Sequence, residues 1–177
     1  MRKRLFFWEA GGVFFVSAVG TLLHFLYDWT GGSTLAAAFS GVNESTWEHM
    51  KIFFFPMFLW SLVQLCVLGR NYPNFPAARL VSTLTGLLLI PVLFYTYGGV
   101  LGYLVDWVNI SIFYVSALIA FWVDFRLLRR GRLNAPWLQL VAFALMWALA
   151  FVFVWCTFHP PQLGLWRDPV TGLTGIQ

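Results

Sequence analysis

Between residues 43 and 51 the chain reads Asn43-Glu44-Ser45-Thr46-Trp47-Glu48-His49-Met50-Lys51, holding two of the seven carboxylates, one of the three histidines and a lysine. Upstream, His24 and Asp28 stand one helical turn apart, and so on one helix face. Imidazole and carboxylate groups ligate zinc and similar divalent ions, and a site with an open position turns bound water into a hydroxide nucleophile. His24, Asp28, Glu48 and His49 are therefore the expected metal ligands, with Glu48 and His49 also the candidates for acid–base catalysis. Glu44, Lys51, Trp47, Asp106, His159, Arg167 and Asp168 are expected around the same pocket.

The spacing alone is not diagnostic. His-x-x-x-Asp arises by chance, and Glu-His is not the His-Glu-x-x-His of zinc proteases. A structural reading stands beside the chemical one. Ser45-x-x-Glu48 fits a capping box, and acids suit the positive end of a helix dipole. Glu44, Glu48 and Lys51 would share one sector of a helix and could pair with each other. The structural reading is preferred for Glu44 and the chemical one for His24 and Glu48; His49 stands between them.

The elements that must position these groups are apolar. The 177 residues are 60% hydrophobic and 10% charged, with mean hydropathy +0.75. Soluble domains carry about a quarter charged residues, so an all-α integral membrane protein with a single bundle is expected. Crossing a ~30 Å hydrocarbon core takes about 20 residues, and five such spans can be drawn, over 5–28, 46–69, 80–103, 107–125 and 135–158. Residues 35–39 are too few to span and are expected along the interface, while 159–177 form a tail rich in turn signals. Pro91, Gly98, Gly99 and Gly102 predict an irregular second half for the third span. Most tryptophans sit near span ends, where an interfacial belt accounts for them.

Orientation follows from the basic residues. With the N-terminus cytoplasmic and the C-terminus extracytoplasmic, nine of the eleven fall inside, leaving only Lys51 and Arg167 outside. All three histidines and five of the seven acids then collect at the outer side. Glu9 and Asp124 remain inside and are expected to pair with Arg4 and Arg126. The basic residues lie in short clusters between apolar runs, a topological pattern that argues against nucleic acid as a partner. Membrane lipids, a small-molecule or lipid ligand and a second copy of the chain are the partners this class admits.

At VNESTWEHMKIFFFPM and HPPQLGLWRDPVTGLTGI the chain resembles a family of small bacterial polytopic membrane proteins with no assigned activity. The resemblance implies a bacterial inner membrane and adds no catalytic residue. The Trp-rich five-span layout is also similar to the tryptophan-rich sensory (translocator) proteins, but the orientation is opposite and their loop and last-helix motifs are missing. Three functions fit these observations: a metal-dependent hydrolase or transferase acting on a lipid or amphiphile, a transporter or binding component for a small molecule or cation, and a non-catalytic accessory subunit. The His/carboxylate cluster favours the first. Pro56 and the interrupted third span support the second.

Overall fold

The computed structural model describes residues 2–176 and is all-helical, with six α-helices. They are α1 (Arg2–Trp29), α2 (Thr34–Phe39), α3 (Thr46–Leu68), α4 (Phe75–Leu101), α5 (Asp106–Arg130) and α6 (Pro136–Phe158). All but α2 are long and apolar enough to cross a membrane. Helix α3 touches every other helix, and α1, α5, α4 and α6 follow one another around it. Short α2 fills the remaining gap at one end by packing on both α6 and α1. Its three alanines, Ala36, Ala37 and Ala38, are small enough to be buried there, so it is tucked into the bundle wall as well as lying across its end.

Helix limits follow local chemistry. Pro76 suits the first turn of a helix, so α4 opens at Phe75, earlier than its hydrophobic run suggests. Gly131, at φ +60°, supplies the left-handed residue that stops α5 after its arginines. The expected irregularity in the third span is not found. Helix α4 runs unbroken through Pro91, Gly98 and Gly99, and turns only at Gly102, whose amide donates to the Gly98 carbonyl at 2.8 Å. One proline removes one backbone donor, whereas unwinding in apolar surroundings would strand several groups with nothing to bond.

The distribution of polarity is inverted relative to a water-soluble bundle. Phe14, Leu140 and Phe151 face outward at 77%, 74% and 65% exposure, while Glu9, Glu48, Lys51, Arg79 and Asp124 are each buried. Charges inside a low-dielectric interior must meet each other, and these do. Glu9 and Asp124 do not use Arg4 and Arg126, as expected from sequence proximity. They meet Arg79, which enters from α4 with Nη2 2.9 Å from Asp124 Oδ2 and 3.7 Å from Glu9 Oε1. Arg126 lies instead over the Trp122 ring.

Close approach between α4 and its neighbours requires Gly86, where an added Cβ would overlap the Phe53 ring and lie 3.2 Å from Ala120 Cβ. Overpacking of this kind costs about 1–3 kcal/mol. Gly86→Ala is expected to lower the thermal unfolding temperature of the detergent-solubilised protein. Gly99→Ala, with no atom within 4 Å of the new methyl, is expected to be neutral or mildly stabilising.

Candidate metal centre and its cavity

The polar stretch before α3 is organised by its caps. Ser45 is the N-cap, and its Oγ accepts the Glu48 amide at 3.4 Å. The reciprocal half of the capping box does not form, because Asn43 Oδ1 takes the Ser45 amide at 2.8 Å. Glu48 turns inward instead, accepting the Val42 amide at 3.2 Å and meeting Lys51 Nζ at 2.5 Å. Lys51 donates its other protons to the Ala37 carbonyl (2.9 Å) and Thr157 Oγ1 (2.8 Å). Three ammonium donors thus find three acceptors, on α3, α2 and α6.

With Glu48 engaged, Glu44 is the carboxylate that faces the histidines. It sits ahead of the N-cap, outside the helix, and its Oε2 lies 3.5 Å from His24 Nε2 and 3.7 Å from His49 Nε2. One potential ligand atom from each of His24, Glu44 and His49 falls within 4.8 Å of the others. The loop is stitched to α1 by the Gly41 amide, which donates to the Leu23 carbonyl at 3.2 Å. His49 Nδ1 lies 2.9 Å from the Ser45 carbonyl. A carbonyl only accepts, so that contact assigns the proton to Nδ1 and leaves the Nε2 lone pair directed at Glu44. Hydrogen bonding to His24 holds the Glu44 carboxyl below the usual carboxylate range, outweighing its partial burial.

This group borders a cavity of about 580 Å³ between α1, α3, α4 and α5. His24, Glu44, Thr46 and His49 line one part of it, while Ile52, Ile90, Phe94, Leu104 and Phe113 make much of the rest apolar. Asp106 and Asn109 contribute polar edges. The space owes part of its width to Gly20, which leaves room for the Phe113 ring beside the Ile52 carbonyl.

The tail reaches the same cavity, with Pro169 and Val170 on its wall. Trp166 stacks on Trp47 at 4.5 Å and 28°, and Trp47 packs on Phe153. Asn43 Nδ2 donates to the Gly175 carbonyl at 2.7 Å, and Asp168 Oδ2 accepts the Glu44 amide at 3.4 Å. Burial opposes ionisation of Asp168, but the amides of Val170, Thr171 and Glu44 outweigh it and hold the carboxyl low.

Of the four expected ligands, the fold brings His24 and His49 together and leaves two elsewhere. Asp28 is exposed at the end of α1, a turn beyond His24, and lies outside the three-residue group. Glu48 is committed to Lys51. Among the surrounding residues, Asp106 lines the cavity and Asp168 reaches Glu44 through its amide. Trp47 is packed between aromatic rings, and His159 stacks on Trp155 at 4.2 Å. Arg167 is exposed, its backbone bridged to Thr174. Glu44 was legible as the carboxylate that joins the two histidines only through its caps. Asn43 and Ser45 place the helix start after it, which frees its side chain from the helix face.

Removing one partner of a buried ion pair strands the other charge, at about 3–5 kcal/mol. Glu48→Gln is therefore expected to be strongly destabilising, whereas Glu44→Gln at a half-exposed loop position should change stability by about 0.5 kcal/mol or less. Thermal unfolding of the two purified variants separates these outcomes. Equal tolerance of both would contradict the division of roles between the two glutamates.

No curated protein and no solved structure matches the chain. A family model described as a family of unknown function (DUF6512) matches residues 2–176, nearly the whole chain. The chain, with its apolar five-helix bundle and its His/Glu group, belongs to that family.

Proposed function

We propose that this is a bacterial inner-membrane protein in which His24, Glu44 and His49 bind a divalent metal ion such as zinc, beside a cavity that receives the apolar part of a lipid or amphiphile. The observation that supports it best is the convergence of two imidazoles and a carboxylate on one point, with His49 oriented through its other nitrogen. Fixing the far nitrogen of a ligating histidine is the usual way a protein sets its tautomer and ring angle. A bound zinc ion with an open position supplies an acidified water and a Lewis acid, the chemistry of hydrolysis or group transfer. The chain's own part is to hold the three donors, to shelter the reacting bond from bulk water with Pro169 and Val170, and to seat the apolar portion against Ile90, Phe94 and Phe113. A transport role drew its support from Pro56 and a broken third span, and α3 and α4 both run on through their prolines.

The proposed orientation rests on eight basic residues collected at the end formed by the N-terminus of α1 and the C-termini of α3 and α5, with a ninth, Arg79, buried just inside it. An odd number of crossings sends the two chain ends to opposite sides. Tags at the N- and C-terminus should accordingly be protected and accessible, respectively, in intact cells. Accessibility of both from one side would contradict five crossings.

The metal itself is tested by elemental analysis of purified protein after incubation with zinc and desalting. Wild type should retain about one equivalent, and His24→Ala, His49→Ala and Glu44→Gln should each lose it while remaining folded. Asp28→Asn should retain it. Retention should fall as pH drops and the imidazoles protonate, because protons compete for the same lone pairs. Zinc content unaffected by the three ligand variants would overturn the proposal and leave the group as an ion-pair cluster of an accessory subunit.

A further inference from the structure

At the opposite end of the bundle, one to two turns inside it, Glu9 (α1), Gln64 (α3), Arg79 (α4) and Asp124 (α5) meet away from solvent. The groups are largely assigned to each other. Gln64 Nε2 donates to Glu9 Oε1 at 3.0 Å, and its own Oε1 accepts from Arg79 Nη2. Asp124 Oδ2 is ion-paired with Arg79 Nη2 at 2.9 Å, and its Oδ1 accepts from Ser82 Oγ at 3.3 Å. The Arg79 guanidinium lies over the rings of Phe75 and Phe121, 5.3 and 5.1 Å from their centroids, and its Nε has no acceptor among the described residues.

Two features of this arrangement remain unbalanced. One guanidinium faces two carboxyl groups, leaving a net negative charge if both are ionised. Helices α3 and α6 bring no charged side chain to the site, and the next ionisable groups, Tyr72 and Arg4, lie further out toward the bundle end. In addition, Glu9 Oε2 is buried and has no hydrogen-bond donor among the described residues, although Glu9 is only 4% exposed. The carboxyl groups of Glu9 and Asp124 both lie against the same nitrogen, Arg79 Nη2. Two carboxylates held on one guanidinium nitrogen are acceptors only, and a proton on one of them adds a donor.

We propose that Glu9 and Asp124 form a proton-binding site, with one proton carried on Glu9 and shared toward Asp124. A proton cancels the surplus charge and supplies the missing donor in one step. A metal ion fits poorly, because hard cations gather six or more oxygens, whereas the rings of Phe75 and Phe121 and Met57 Sδ lie against the guanidinium. The site is independent of the histidine group and stands whether or not that group holds a metal.

Infrared spectroscopy of the full-length protein in lipid nanodiscs at neutral pH tests this directly. Wild type should show the carbonyl stretch of a protonated carboxylic acid, shifted to lower frequency when glutamate is labelled with ¹³C at the side-chain carboxyl. Glu9→Gln should abolish the band, since the amide brings its own donor to the unsatisfied position. Asp124→Asn should abolish it as well, since one carboxylate then balances Arg79. Glu44→Gln should retain it. Absence of the band from wild type, failure of the glutamate label to move it, or its survival in either folded variant would overturn the proposal. Absence of a label-sensitive band from wild type overturns the proposal even if a variant does not fold, while the Glu9→Gln spectrum distinguishes Glu9 from the label on Glu44 and Glu48.

Discussion

Lys51 carries a full positive charge into the bundle wall, where it has no access to solvent, and Glu48 meets it at 2.5 Å. A buried pair of this kind gains little net stability over an apolar pair, because both ions have lost their hydration. Its consequence is positional. Through Ala37 and Thr157 the ammonium fixes α2 and α6 against the start of α3. Through Val42 the carboxylate fixes the loop that enters it. That loop then has one remaining carboxylate, Glu44, and one direction in which to offer it, toward His24 and His49. The geometry of the His24, Glu44 and His49 group is thus a by-product of satisfying a buried lysine.

The same rule governs the far end of the bundle, with a different result. There a single arginine faces two carboxyl groups and a glutamine, and Glu9 Oε2 is left buried with no donor among the described residues. Between the two polar ends the helices are held by aromatic rings lodged against small residues, as Phe53 is against Gly86 and Phe113 against Gly20. Packing of this type suits a bundle whose outer surface is apolar, where burial of greasy side chains adds no drive to helix association and close fit must supply it. The tail adds an aromatic stack of Trp166 on Trp47 and so closes the histidine end.

Much of this was legible in the sequence, for physical reasons that differ by element. Long apolar runs cannot be anything but helices in hydrocarbon, so the five long elements and the collection of His24 and His49 at one end follow from hydropathy and periodicity. Side-chain choice between competing partners was not legible. Glu44 and Glu48 are one turn apart, and it is Asn43, taking the Ser45 amide that Glu48 would accept in a capping box, that leaves the Glu48 carboxylate to turn inward. Glu9 and Asp124 likewise had closer arginines in sequence, but Arg79 alone comes from a helix face that points into the bundle. The continuity of α4 shows the converse, since Pro and Gly signals calibrated on solvated helices overstate how readily backbone unwinds in apolar surroundings.

X-ray absorption at the zinc edge, on protein loaded with one equivalent of metal, tests the central claim about the histidine end most directly. Two imidazole nitrogens and a carboxylate oxygen should appear in the first coordination sphere, at about 2.0–2.2 Å. One imidazole should disappear in His24→Ala and the other in His49→Ala. A shell of oxygen donors alone, or one unchanged by either substitution, would show that the three side chains make an ion-pair cluster and hold no metal.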